Sequence, residues 1–153
     1  MQTPRIGKEL FTLLDGKVLE DKQHEAMMLL TVTEDQWPHI AMISVGEVVA
    51  LDERNLRLAL WPGTTTTGNM IRTGKATLAV FTKGKAHYVR LSLEHLPALP
   101  GAKHVRERFA AHVFAAREDS AQYADILTGV TVRLKEPESV IHRWKETVAE
   151  LLM

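Results

Sequence analysis

The stretch Trp61-Pro62-Gly63-Thr64-Thr65-Thr66-Thr67-Gly68-Asn69 decides how this chain reads. Ahead of it, Leu56-Arg57-Leu58-Ala59-Leu60 alternates, which is the period of a half-buried strand. Behind it, Met70-Ile71-Arg72 begins a short helical segment that closes at Thr73-Gly74, with Gly as a natural residue past a helix end. Pro62 and Gly63 stop the strand. Four hydroxyls then enter the first turn of the helix, where backbone N–H groups have no intrahelical partner. Hydroxyl donors and free N–H groups at the positive end of a helix form a seat for phosphate. The same threonines also read as an N-cap followed by a polar loop.

Composition bounds the answer. The chain has 153 residues, enough for one domain, 1–153, with a real core. Hydrophobic residues make up 45% and charged residues 25%, an ordinary globular profile. Lys+Arg and Asp+Glu number 19 each, so the broad positive field of a general nucleic-acid binder is missing. With no cysteine, disulfides, thiolate nucleophiles and cysteine-ligated metals are excluded. Met1 to Glu9 carries no apolar core of a signal peptide. The longest apolar run, Ala26 to Leu30, is too short to span a membrane. A cytoplasmic protein with no membrane and no nucleic-acid partner is expected.

Working outward from the threonine loop, the pattern predicts a helix near the N-terminus. Thr3 caps it, Pro4 fills its first turn, and Ile6, Leu10, Leu13 and Leu14 recur along it. Glu25 to Thr33 and Trp37 to Val45 read as a hairpin around Glu34-Asp35-Gln36. Val48 to Leu51 continues an extended path. Ala76 to Thr82 and the alternating His87 to Leu93 flank the turn Lys83-Gly84-Lys85. Val105, Phe109, Val113 and Ala116 fall at helical spacing and predict a helix over 104–117. Val130, Val132 and Leu134 alternate as a last strand, and Pro137 opens a final helix with Val140, Trp144, Val148 and Leu151 on one face. Six or so strands joined by short turns suffice for a small antiparallel barrel.

This order of elements resembles the pyridoxamine 5′-phosphate oxidase-like family of FMN-binding split barrels. Three features carry the resemblance. They are Trp37-Pro38-His39-Ile40-Ala41-Met42 opening the second hairpin strand, Leu58-Ala59-Leu60-Trp61 running into the loop at 64–67, and Asn69-Met70-Ile71 followed by Gly74 to Val80. The resemblance implies a six-stranded antiparallel split β-barrel with flanking helices, of the α+β class. It implies FMN as cofactor and a homodimer with the flavin at the subunit interface. It places the phosphate and ribityl chain at Thr64, Thr65, Thr66, Thr67 and Asn69, and the ring beside Met42, Ser44 and Trp61. Where the oxidases use basic side chains, this loop offers Thr66, Thr67 and Gly68, and Ala41 stands at the strand position of an arginine. Arg72, one turn along the helix, is the nearest cation in sequence.

Other chemistries find less support. His104 and His112, eight residues apart on the expected helix, would be about 12 Å apart, too far for one metal. His24-Glu25-Ala26-Met27-Met28 lacks the second histidine of a zincin helix. No Gly-x-Ser-x-Gly elbow occurs. No metal is expected, and no residue is assigned as a catalytic acid or base. The functional expectation is an FMN-dependent oxidoreductase acting on a small molecule. A flavin-, haem- or phosphorylated-ligand-binding protein without turnover, and a purely structural domain, remain open beside it.

Overall fold

Alternating apolar residues bury one face of a single curled sheet. The computed structural model describes residues 3–153; Met1 and Gln2, the start of the segment read for a leader, lie outside these. In chain order its elements are α1 (Lys8–Leu13), β1 (Met27–Val32), β2 (Pro38–Ile43), β3 (Val48–Ala50), β4 (Asn55–Leu60), α2 (Thr65–Thr73), β5 (Lys75–Thr82), β6 (Lys85–Leu96), β7 (Glu107–Asp119) and α3 (Pro137–Leu151). The strands follow the order β2-β1-β5-β6-β7-β4-β3, and every neighbouring pair is antiparallel. This curled sheet with flanking helices is a split barrel, with seven strands where six were expected.

The seventh strand corrects the largest misreading. Residues 107–119 form β7, not a helix. Phe109, Ala111 and Val113 point into the core, whereas the alternate residues His112 and Phe114 are exposed. Ala110, Ala111, Ala115 and Ala116 favour a helix locally. The open backbone edges of β6 and β4 override that preference, because buried N–H and C=O groups require partners. β7 pairs with β4 from Asn55↔His112 to Leu60↔Glu107 and with β6 from Ala86↔Asp119 to Leu96↔Arg108. A register shift between Arg90 and Leu91 marks an irregularity of the long β6–β7 ribbon.

Two further expectations are corrected at the chain's ends. Residues 130–135 make only an isolated bridge, Glu25↔Thr131, with flanking bonds from Ala26 N–H to Val130 O and Val132 N–H to His24 O. Both edges of β1 are already taken by β2 and β5, so a further strand has nowhere to pair. The first helix begins at Lys8, with Gly7 in place of Thr3 at its N-cap. Ile6 instead runs extended and donates its N–H to Glu53 O. Leu10 and Leu13 are buried as their spacing predicts. Lys83 and Gly84, both at positive φ, make the tight turn between β5 and β6. No helix among the described residues is long and apolar enough to cross a membrane.

The core lies between the inner sheet face and helices α1 and α3. Leu29, Leu58, Leu78 and Phe109 on the sheet, Leu10 in α1 and Leu14 at its C-terminal end, and Leu151 of α3 are wholly buried. Trp144 of α3 packs so closely on Gly46, between β2 and β3, that a Cβ there would overlap the indole. Gly46→Ala is therefore expected to destabilise the fold by about 1–3 kcal/mol through overpacking, read as a lower denaturation midpoint in urea.

Candidate functional site

The threonine loop begins as its residue types dictate. Thr64 is extended (φ −92°, ψ 160°) and stands before the first helical residue of α2. Its Oγ1 accepts the Thr67 N–H at 3.1 Å, and its own N–H donates to Thr67 Oγ1 at 3.2 Å. This reciprocal box satisfies two donors at the helix start. The capping reading thus holds for Thr64 and Thr67. Thr65 and Thr66 stand apart. Among the described residues neither hydroxyl takes part in a side-chain hydrogen bond, and the first intrahelical donor is the Gly68 N–H, to Thr64 O at 3.0 Å. Two adjacent N–H groups and two hydroxyls are left at the positive end of α2. Thr65 is exposed and Thr66 buried.

The remaining sequence candidates separate. Asn69 is buried and anchors α2 to β1, donating from Nδ2 to Thr31 Oγ1 at 3.0 Å. Its Oδ1 accepts from Arg72 Nη1 at 3.2 Å. Arg72 also donates to Val32 O and lies 3.9 Å from Glu34, so its charge closes the end of β1. Met42 is 61% exposed on the outer sheet face. Pairing registers set it in a row with Met28, Ala79, Tyr88 and Arg117, beside a second row of Ile40, Leu30, Thr77, Arg90 and Ala115. Met42, Tyr88 and Arg90 therefore share one surface.

Ser44 lies past the end of β2 and leaves that surface. Its N–H and its Oγ–H both donate to Glu47 Oε1 at 3.0 Å. Trp61 is half exposed, and the Arg106 guanidinium covers its ring at 3.7 Å from the centroid. Arg143 lies 6.0 Å from the same centroid. Such cation–π contacts are worth about 0.5–2 kcal/mol according to exposure. Glu47, Trp61, Arg106 and Arg143 line one small depression with Trp144 and Thr147. Sequence reading missed Glu47, Arg106 and Arg143. The spacing Ser44-x-x-Glu47 was available as a signal, since it is that of a capping box. Here it forms half of one, with no helix following.

Burial pushes the Glu47 carboxyl above the ordinary value of 4.5, against the opposing pull of the Ser44 hydrogen bonds and of Arg106 and Arg143. An acid raised on folding holds its proton more tightly in the folded state. Stability then falls as pH rises from 4.5 through the raised value. Glu47→Gln should remove that slope. The variant is expected to gain stability over the parent at pH 7 and to lose the gain below pH 4.5, measured by urea denaturation across that range.

No family model matches the chain. The uncharacterized protein YclD of Bacillus subtilis is 49% identical over 146 residues, which is 95% of each chain. Among solved structures, a Lactobacillus delbrueckii protein provisionally named a pyridoxamine 5′-phosphate oxidase superposes with a TM-score of 0.59 at 16% identity, over 76% of this chain and 97% of its own. HupZ of Group A Streptococcus gives 0.55 at 13% identity, over 84% and 99%. An FMN-binding protein of Syntrophomonas wolfei gives 0.51 at 18% identity, over 74% and 94%. Identities this low speak for architecture, and the architecture agrees with the strand order described above. The chain belongs to the family of YclD, folded as a split barrel of the pyridoxamine 5′-phosphate oxidase-like type.

Proposed function

We propose that this chain binds FMN, seats the phosphate at the start of α2, and serves flavin redox chemistry on a small molecule. The observation that supports this most directly is the pair Thr65–Thr66. Their N–H groups and hydroxyls are donors left over after Thr64 and Thr67 have capped the helix. A phosphate dianion accepts several such bonds and meets the favourable end of the helix dipole. The loop from Trp61 to Asn69 contains no Lys or Arg, so the charge-assisted bonds that would tighten binding are absent from it. Affinity in the micromolar range follows. Bound flavin supplies the electron transfer, and the chain supplies position and shielding.

A second copy of the chain covers the ring side in this reading. Ile40 and Met42 on the outer face of β2, and Trp37 just before the strand, are 60–69% exposed, apolar surface that a homodimer would bury. Tyr88 and Arg90 lie on the same outer face. One observation favours a flavin binder without turnover. No residue from Trp61 to Ile71 is titratable, so the loop itself offers no proton donor.

Calorimetric titration tests the cofactor. FMN should bind clearly tighter than riboflavin, and Thr65→Ala/Thr66→Ala should weaken FMN by more than ~10-fold while riboflavin binding is unchanged, because each lost bond to a charged group is worth about 1.5–3 kcal/mol. Equal affinity for the two flavins would remove the phosphate seat. Sedimentation velocity tests the assembly. A dimer is expected at micromolar concentration, and Met42→Lys should shift it to monomer by placing a charge in the apolar stripe.

A further inference from the structure

A cleft runs beside the threonine loop, between α3 and the connection 97–106 that leads into β7. Its wider part is a cavity of about 190 Å³ lined by residues that include Ala98, Leu99, His104, Arg106, Arg108 and Glu150. Arg106 and Thr147 also line the small depression of about 30 Å³ around Glu47, Trp61 and Arg143, so the two hollows adjoin. Arg106 and Arg108 line the larger hollow, and Arg106 and Arg143 the smaller.

Among the described residues none of the three has a carboxylate within 4.0 Å, and Glu47 and Glu150 act on Arg106 only from farther away. Among the described residues Arg106 donates only to its neighbour's carbonyl, Val105 O, at 2.9 Å. Arg108 makes two long bonds, to Pro97 O at 3.4 Å and Glu150 O at 3.5 Å, and its Nε is buried without a partner. The bond to Glu150 O lets it complement the C-terminus of α3, a common use of arginine. Arg57 already does the same at Leu151 O, at 2.8 Å. The Arg143 guanidinium has no carboxylate within 4.0 Å and makes no hydrogen bond among the described residues.

The nearby carboxylates are occupied. Glu146 holds Lys103 at 2.7 Å and His104 and His142 at 3.4 Å each. Glu150 accepts the Lys103 N–H at 2.8 Å. Glu47 is turned onto Ser44. Arg106 and Arg143 meanwhile crowd one indole, at 3.7 and 6.0 Å from its centroid. Like charges so close repel, and an anion between them reverses the sign of the interaction. A buried donor without a partner and two guanidiniums without a carboxylate partner, beside a cavity, match the needs of an anionic group.

We propose that this cleft binds a small organic anion, gripping a carboxylate or phosphate group between Arg106 and Arg143 with the Trp61 ring as backing and Arg108 deeper in the groove. The cavity is below the ~300–1,000 Å³ of drug-sized pockets, which restricts the ligand to a metabolite-sized molecule. The proposed grip uses neither Thr65 nor Thr66 and does not rest on the flavin seat there.

Calorimetry on the full chain at low ionic strength tests the proposal, with succinate and inorganic phosphate as separate probes. One of them should bind saturably, one per chain, with a Kd of ~1 mM or tighter. The tighter of the two names the ligand's anionic group. Arg143→Gln and Arg106→Gln should each weaken binding by ~10-fold or more, the loss of one charge-assisted bond. Arg133→Gln, an exposed arginine elsewhere, should leave it unchanged. Unchanged melting of the variants establishes that they fold. No saturable binding of either probe overturns the proposal, as does binding indifferent to both substitutions. If the two variants lose FMN in step with the dianion, the arginines serve the cofactor and a separate site is overturned; FMN affinity that stays constant supports it.

Discussion

The split barrel depends on one strand that pairs on both sides. β7 satisfies the inner edge of β6 and the inner edge of β4 at once, and without it the sheet falls into a β2-β1-β5-β6 piece and a β4-β3 piece. Its inward residues, Phe109, Ala111 and Val113, then complete the core that α3 covers with Trp144 and Val148. The end of β4, where the threonine loop departs, is held by the same pairing, at Leu60↔Glu107. The loop's geometry is therefore a property of the whole sheet rather than of the nine residues that form it.

At that loop, function and structure divide the same chemical groups. Four threonines look equivalent in sequence. The fold spends the first and the fourth on a reciprocal cap and leaves the middle two unengaged. Helix geometry enforces this partition, since an N-cap and the residue three later face one another, whereas the two between them point elsewhere. Asn69 and Arg72, the other polar residues of the segment, are drawn into fastening α2 to β1. The positive charge nearest Trp61 comes instead from Arg106 and Arg143, on distant elements.

What could be read from sequence follows the range of the forces involved. The hairpins, the strand–loop–helix unit at 55–74 and the Pro-initiated α3 are encoded by period, turn residues and caps within a few positions, and all were legible. The stretch 107–119 was not. Its alanines favour a helix, its apolar residues fit a four-residue spacing, and the strand wins because β6 just before it and β4 some fifty residues earlier need a partner. Ser44 and Met42 fit one face by alternation, but the chain leaves the sheet between them. Glu47, Arg106 and Arg143 lie 96 positions apart at the extremes, 143 minus 47, and no local pattern gathers them.

The late position of β7 has a consequence in time. Asn55 and His112 are 57 residues apart in the chain, yet they sit opposite each other across β4 and β7. A ribosome adding ~5–20 residues per second takes on the order of several seconds to supply that distance. Throughout that interval β4 has only the three residues of β3 beside it, and its other backbone edge is open. The nascent chain therefore passes through a period in which apolar strands with unpaired edges are outside the ribosome, the condition under which β-rich chains are captured by chaperones or by one another.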